Sequence, residues 1–197
     1  MNQKSENSKP FSKIFNSRFS VLISILSLYI LFSAVIRIVF LFWSSKDLDF
    51  NILYILRAFF TGFCYDFAVG TLFLLLYSVY LLLFPKRWIG SGFDKIFTYV
   101  YLAIVLLIIY FSLLAEIPFW DEFGVRFNFI AVDYLIYTYE VVSNINESYP
   151  LPLIILVLVA LIVLTFVFLH KRKIFQRTFS DKRPISKRLV FFSILVF

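Results

Sequence analysis

Charge is scarce in this sequence. Asp, Glu, Lys and Arg make up 16% of its 197 residues, against roughly a quarter in an ordinary soluble domain. With 61% hydrophobic residues and a mean hydropathy of +0.90, a water-soluble fold would have too little polar surface to show to solvent. Cysteine is reduced to one residue, Cys64, inside an apolar run. That excludes an internal disulfide and a multi-cysteine metal site, and leaves Cys64 as a small packed hydrophobe. The one histidine, His170, opens a basic stretch and reads as an interfacial residue rather than a ligand. No segment repeats with a period of 20 to 50 residues, which excludes a solenoid or tandem architecture. There is also no nucleophile–base motif, no phosphate-binding loop and no metal cluster. The net charge of +7 would suit nucleic acid, but the basic residues gather between apolar runs, so no nucleic-acid partner is expected.

What the chain has in abundance is long apolar runs. A helix needs ~20 apolar residues to cross the hydrocarbon core. Four segments reach that length: about 19–43, 58–84, 96–120 and 151–169. The first is too long for a signal-peptide core and has no small-residue cleavage site after it, so it is expected to be retained. The carboxyl end, "LVFFSILVF", is apolar but short, rising ~13 Å as a helix. It reads as a fifth span cut short from 189. The expected fold is therefore an all-α integral membrane protein, a polytopic helical bundle of four spans with a truncated fifth after a tail at 1–18. Fifteen of the nineteen basic residues lie in the tail, in the loop after the second span and in the stretch after the fourth. Counting Lys and Arg by the positive-inside rule makes those three regions cytoplasmic and puts 121–149 outside.

One loop has its own pattern. Over 121–147, Phe123, Phe127, Ile130, Tyr134, Tyr137, Val141 and Ile145 follow three- and four-residue spacing and share one helical face. Arg126, Asp133, Glu140 and Glu147 recur every seven residues on another face. This predicts an amphipathic helix lying in the outer interface, closed by Pro150 and Pro152 at the start of the next span. Asp133, Glu140 and Glu147 then form a candidate docking face for a domain outside the membrane, or else a solvated acidic face.

Ionisable residues inside spans are costly and are functional hypotheses by default. Arg37 lies six residues before Trp43, ~9 Å below the outer boundary, and Asp66 lies ~12 Å below it on the returning span. Those matched depths make an Arg37–Asp66 pair plausible. Glu116, near the outer end of the third span, is within reach of Arg57 or Arg126. Gly62 and Gly70 favour close packing beside Asp66. Two readings stay open: the charges fix helix packing, or they form a polar pocket that receives a lipid headgroup.

The run "AEIPFWDEFGVRFNFIAVDYLIYTYEVVSNINESYPLP", with the upstream "RAFFTGFCYDFAVG" and the "FPKRW" loop, resembles the membrane domain of the lipoteichoic acid synthase family. It is most similar to the members described as membrane-anchored sulfatase-like or phosphoglycerol transferase proteins. The resemblance covers nearly the whole chain and is most specific over 126–150. It implies five spans in a bacterial cytoplasmic membrane, followed by an extracellular or periplasmic domain of the alkaline phosphatase superfamily. That domain would carry a threonine nucleophile and a divalent metal, neither assignable to a residue here. On this view membrane lipids and the chain's own outer domain are its partners. It would serve as the anchor and lipid-access domain of a phosphoryl- or sulfuryl-transfer enzyme. The alternative is a stand-alone membrane scaffold or transporter subunit that uses the buried charges.

Overall fold

A computed structural model describes residues 17–45, 51–127, 150–181, 183–184, 188–189 and 192. Among them the regular structure is helical throughout: α1 (Ser20–Trp43), α2 (Ile52–Leu83), α3 (Gly92–Phe123), α4 (Leu151–Lys171) and α5 (Ile174–Ser180), with one 3-10 turn at Lys86–Trp88. The first four are each long and apolar enough to cross a membrane. The chain is an all-α, multi-pass membrane protein.

Local chemistry sets the helix ends. Asn51 caps α2, its side chain accepting from the Leu53 amide at 3.0 Å. Phe84, held extended by the proline that follows it, stops the same helix. At the start of α3, Ser91 Oγ accepts from the Asp94 amide at 3.3 Å, and the Asp94 carboxylate reaches back to the Gly90 amide at 2.8 Å. This is a close variant of the reciprocal capping box. Gly124 closes α3 in the left-handed region (φ +62), where its amide bonds to Trp120 O at 2.8 Å. Pro152 falls in the first turn of α4, where a missing N–H costs nothing.

Two of these ends correct the expected boundaries. The second span begins at Ile52 rather than at 58, because Asn51 supplies the cap and "ILYILRA" carries no breaker, so Arg57 lies within the helix. The third span runs Gly92–Phe123 rather than 96–120. Residues 121–123 thus finish a spanning helix and do not begin an interfacial one; the rest of the segment expected over 121–147 lies outside the described residues from 128 onward, as does most of the expected fifth span. The stretch after the fourth span also contains a helix, α5, set off from α4 by Lys173 in the left-handed conformation (φ 57). At 32 residues, α2 and α3 are each about 48 Å long and exceed the ~30 Å core, so they project beyond it or tilt.

The chain divides into two compact units, 1–105 with 166–197, and 106–165. In the first, α1 packs against α2 and α5. Its interior holds Leu22, Ile25, Leu74, Tyr77, Leu81 and Leu102, each essentially without exposure. Tyr77 donates to Thr98 Oγ1 at 3.2 Å and Tyr101 to Phe73 O at 2.9 Å, tying α2 to the start of α3. Leu31, Phe60, Leu72 and Leu76 are exposed large apolar residues on spanning helices, as expected of faces bathed in lipid. In the second unit, the Tyr110 hydroxyl and Thr165 Oγ1 share a 2.6 Å hydrogen bond, and the rings of Phe123 and Phe127 pack on Phe119.

Candidate functional site

Of the side chains singled out in the sequence, Arg37 and Asp66 meet. Arg37 Nη2 donates to Asp66 Oδ2 at 2.7 Å, and Ser33 Oγ donates to the same oxygen at 2.6 Å. The two ionised side chains are 12% and 10% exposed, so the pair is nearly but not wholly enclosed. It exists because α1 and α2 approach closely. A Cβ at Gly62 would overlap the Arg37 guanidinium, and one at Gly70 would lie 2.7 Å from Leu26 Cδ1 and 2.8 Å from Tyr29 Cδ1. Gly62 therefore makes room for the guanidinium, and the centroid of the Phe59 ring lies 5.8 Å from its Cζ. Among the described residues, Nε and Nη1 of Arg37 have no hydrogen-bond acceptor in the protein.

In the other unit, Glu116 takes Arg126 as its partner. Arg126 Nε donates to Oε2 and Nη2 to Oε1, both at 2.9 Å, a fork-to-fork pair across the turn at Gly124. Arg57, the other basic residue considered for Glu116, is exposed. Asp133, Glu140 and Glu147 lie outside the described residues.

No family model, curated protein or solved structure matches this chain. The site has to be read from its own chemistry.

Among the described residues, the most enclosed ion pair is one the sequence did not suggest. Arg18 and Asp94 both have 0% side-chain exposure and bond through two parallel contacts, Nη1 to Oδ2 at 3.1 Å and Nη2 to Oδ1 at 3.0 Å. Asp94 also accepts from the Tyr80 hydroxyl at 2.9 Å, and Arg18 Nε donates to Leu81 O at 3.3 Å. The Arg18 amide donates to Asp181 Oδ2 at 2.8 Å and the Val21 amide to Thr178 Oγ1 at 3.3 Å, so groups at and just beyond the end of α5 satisfy donors at the head of α1.

A second guanidinium enters the same region. Arg188 is 1% exposed. Its Nη1 donates to Phe84 O at 2.8 Å and, at 3.4 Å, to Leu81 O and Leu82 O; its Nε donates to Arg183 O at 3.0 Å. Arg18 and Arg188 thus supply donors to the carbonyls that end α2, where the helix dipole favours cations. Burial first, and then the Arg18 cation, pull the Arg188 pKa below arginine's ordinary value. It stays protonated at any physiological pH.

What the two regions can do differs. Arg18–Asp94 is sealed and fully coordinated, which suits a structural lock. Among the described residues Arg37 is held by one hydrogen bond, and two of its N–H-bearing nitrogens have no acceptor, although it lies on a spanning helix. Among the described residues no three His, Cys, Asp or Glu side chains gather.

Proposed function

We propose that this chain is the membrane domain of an outward-facing phosphoglycerol transferase or sulfatase-like enzyme, akin to the lipoteichoic acid synthase family, and that Arg37 receives a lipid headgroup for it. The membrane is then the bacterial cytoplasmic membrane, with the amino terminus and the basic loops on the cytoplasmic side. The observation that carries the reading is the Arg37 guanidinium. A charge within a spanning helix is costly, and here Asp66 neutralises it through a single Nη2 contact. The remaining N–H groups need an acceptor, and Nε on one side or Nη1 on the other can each donate to an oxygen of a phosphate or sulfate oxyanion. The missing Cβ at Gly62 leaves the space that this guanidinium occupies. The sequence resemblance supplies the reaction class, phosphoryl or sulfuryl transfer, with the chemistry in a domain outside the membrane. This chain's part is to anchor that domain and to hold an anionic lipid within its reach.

The test is photo-crosslinking in nanodiscs with a phosphatidylglycerol analogue whose photoactivatable group sits beside the phosphate. Labelling should map to α1 and α2 around Phe59–Asp66, and Arg37→Gln should reduce it about tenfold, the loss expected from one charge-assisted hydrogen bond. Labelling unchanged in Arg37→Gln would refute the headgroup role. Arg37-dependent ion flux in proteoliposomes would instead favour a transporter subunit.

A further inference from the structure

The Arg188 guanidinium is short of an acceptor. Its Nε and Nη1 are taken by carbonyls, but Nη2 is buried and has no hydrogen-bond partner among the described residues. Buried polar groups in native proteins are nearly always satisfied, and one that is not calls for a water or an ion. The local charge count says which. Among the described residues this region holds three guanidiniums, Arg18, Arg183 and Arg188, and two carboxylates, Asp94 and Asp181. Both carboxylates are committed: Asp94 to Arg18 at 3.0 Å and Asp181 to Arg183 at 3.2 Å. Arg188 is the cation left over, with only carbonyl oxygens as partners. The partial negative charge at the end of α2 offsets part of this excess but gives Nη2 no acceptor.

We propose that Arg188 Nη2 is half of an anion site that takes a phosphate oxygen, either from inorganic phosphate or from the headgroup of an anionic lipid. The chemistry suits an oxyanion: a guanidinium nitrogen with two free N–H bonds can donate to phosphate oxygens, and it lies beside a second guanidinium, Arg18, that reinforces the positive potential. Nη2 has no open surface, so the anion is admitted by local opening and is held once bound. The site lies at the Arg18 end of the helices and is separate from Arg37. It does not depend on the family reading.

Thermal unfolding of the purified chain tests it. In neutral detergent at constant ionic strength, replacing chloride by inorganic phosphate should raise the Tm by about 2–4 °C in a saturating manner. In a second arm, phosphatidylcholine nanodiscs are compared with and without phosphatidylglycerol. A rise with inorganic phosphate assigns the site to phosphate itself. A rise only with phosphatidylglycerol assigns it to a lipid headgroup. In either case Arg188→Lys, which keeps the charge but not the planar edge, should lose the response. The proposal is overturned if neither arm stabilises the wild type, if the rise does not saturate, or if Arg188→Lys responds equally. The wild-type curves alone decide the first two outcomes, so the test survives a variant that does not fold.

Discussion

Asp94→Asn changes one atom, and the structure indicates a large effect. The wild-type carboxylate accepts four hydrogen bonds, two from Arg18 and one each from Tyr80 and Gly90. An asparagine has a single acceptor oxygen, and its amide nitrogen would face donors. More costly is the charge. With Asp94 neutral, Arg18 becomes a fully enclosed guanidinium without a counter-ion among the described residues, beside Arg188, which has none there either. Removing one partner of a buried pair typically costs about 3–5 kcal/mol. For a chain of this length 1 kcal/mol moves Tm by about 2–4 °C, so Asp94→Asn should unfold about 6–20 °C below wild type. The readout is thermal unfolding in detergent followed by tryptophan fluorescence. The double variant Arg18→Met with Asp94→Leu removes both charges and should recover much of the loss, since replacing a buried pair by apolar groups of similar volume is often close to neutral. A Tm within about 2 °C of wild type for Asp94→Asn would mean that water reaches the pair and that the sealed-lock reading is wrong.

Two further expectations follow from other parts of the molecule. Gly62→Ala should destabilise by about 1–3 kcal/mol, because its Cβ would overlap the Arg37 guanidinium, whereas Gly92→Ala, with open space around it, should leave unfolding within experimental error. In a Cys64→Ser background, a cysteine at exposed Glu122 should be labelled by an impermeant maleimide from outside and one at exposed Lys86 only after permeabilisation; the reverse pattern would overturn the proposed orientation.

The spans were legible because lipid removes any need for an amphipathic pattern: length and apolarity are enough. Their ends were not, because polar residues near the boundary do not stop a helix. Arg57 looked like loop and lies in α2; Asp94 looked like loop and lies in the first turn of α3. The Arg37–Asp66 contact was readable even with the start of α2 misplaced, since these two are the ionisable residues well inside the first two spans. Arg18 and Asp94 gave no such contrast. They are 76 positions apart, and each sits among other charges, Lys13 and Lys95 included, that made both look solvated. A usable signal did exist in Ser91-x-x-Asp94 just before an apolar run, the spacing of a capping box, which places Asp94 at a helix head rather than in a loop. For Arg188 there was none. Nothing in "KRPISKR" separates it from its basic neighbours, and only the fold shows that the ends of α1 and α2 converge on it.

The two arginines near the ends of α1 bear on a problem that soluble helices do not face. Lipid tails are as apolar as leucine, so burying one apolar helix face against another gains little over leaving it in lipid and hardly favours one register over the next. Arg18 and Arg37 are 19 residues apart, about 28 Å along a helix and close to the ~30 Å core. Arg18 claims Asp94 at the head of α3, and Arg37 claims Asp66 in the middle of α2. A slip of α1 by one residue would shift it by about 1.5 Å and turn it by about 100°, so both contacts would break together. The small-residue positions act in the same direction. Gly62 lies against the Arg37 guanidinium and Gly70 against Tyr29 and Leu26, so a shifted α1 would bring different side chains to both. The register of α1 against α2 and the head of α3 therefore rests on two ion pairs and two glycines, while the long apolar faces that dominate the composition determine only that the helices are in the membrane.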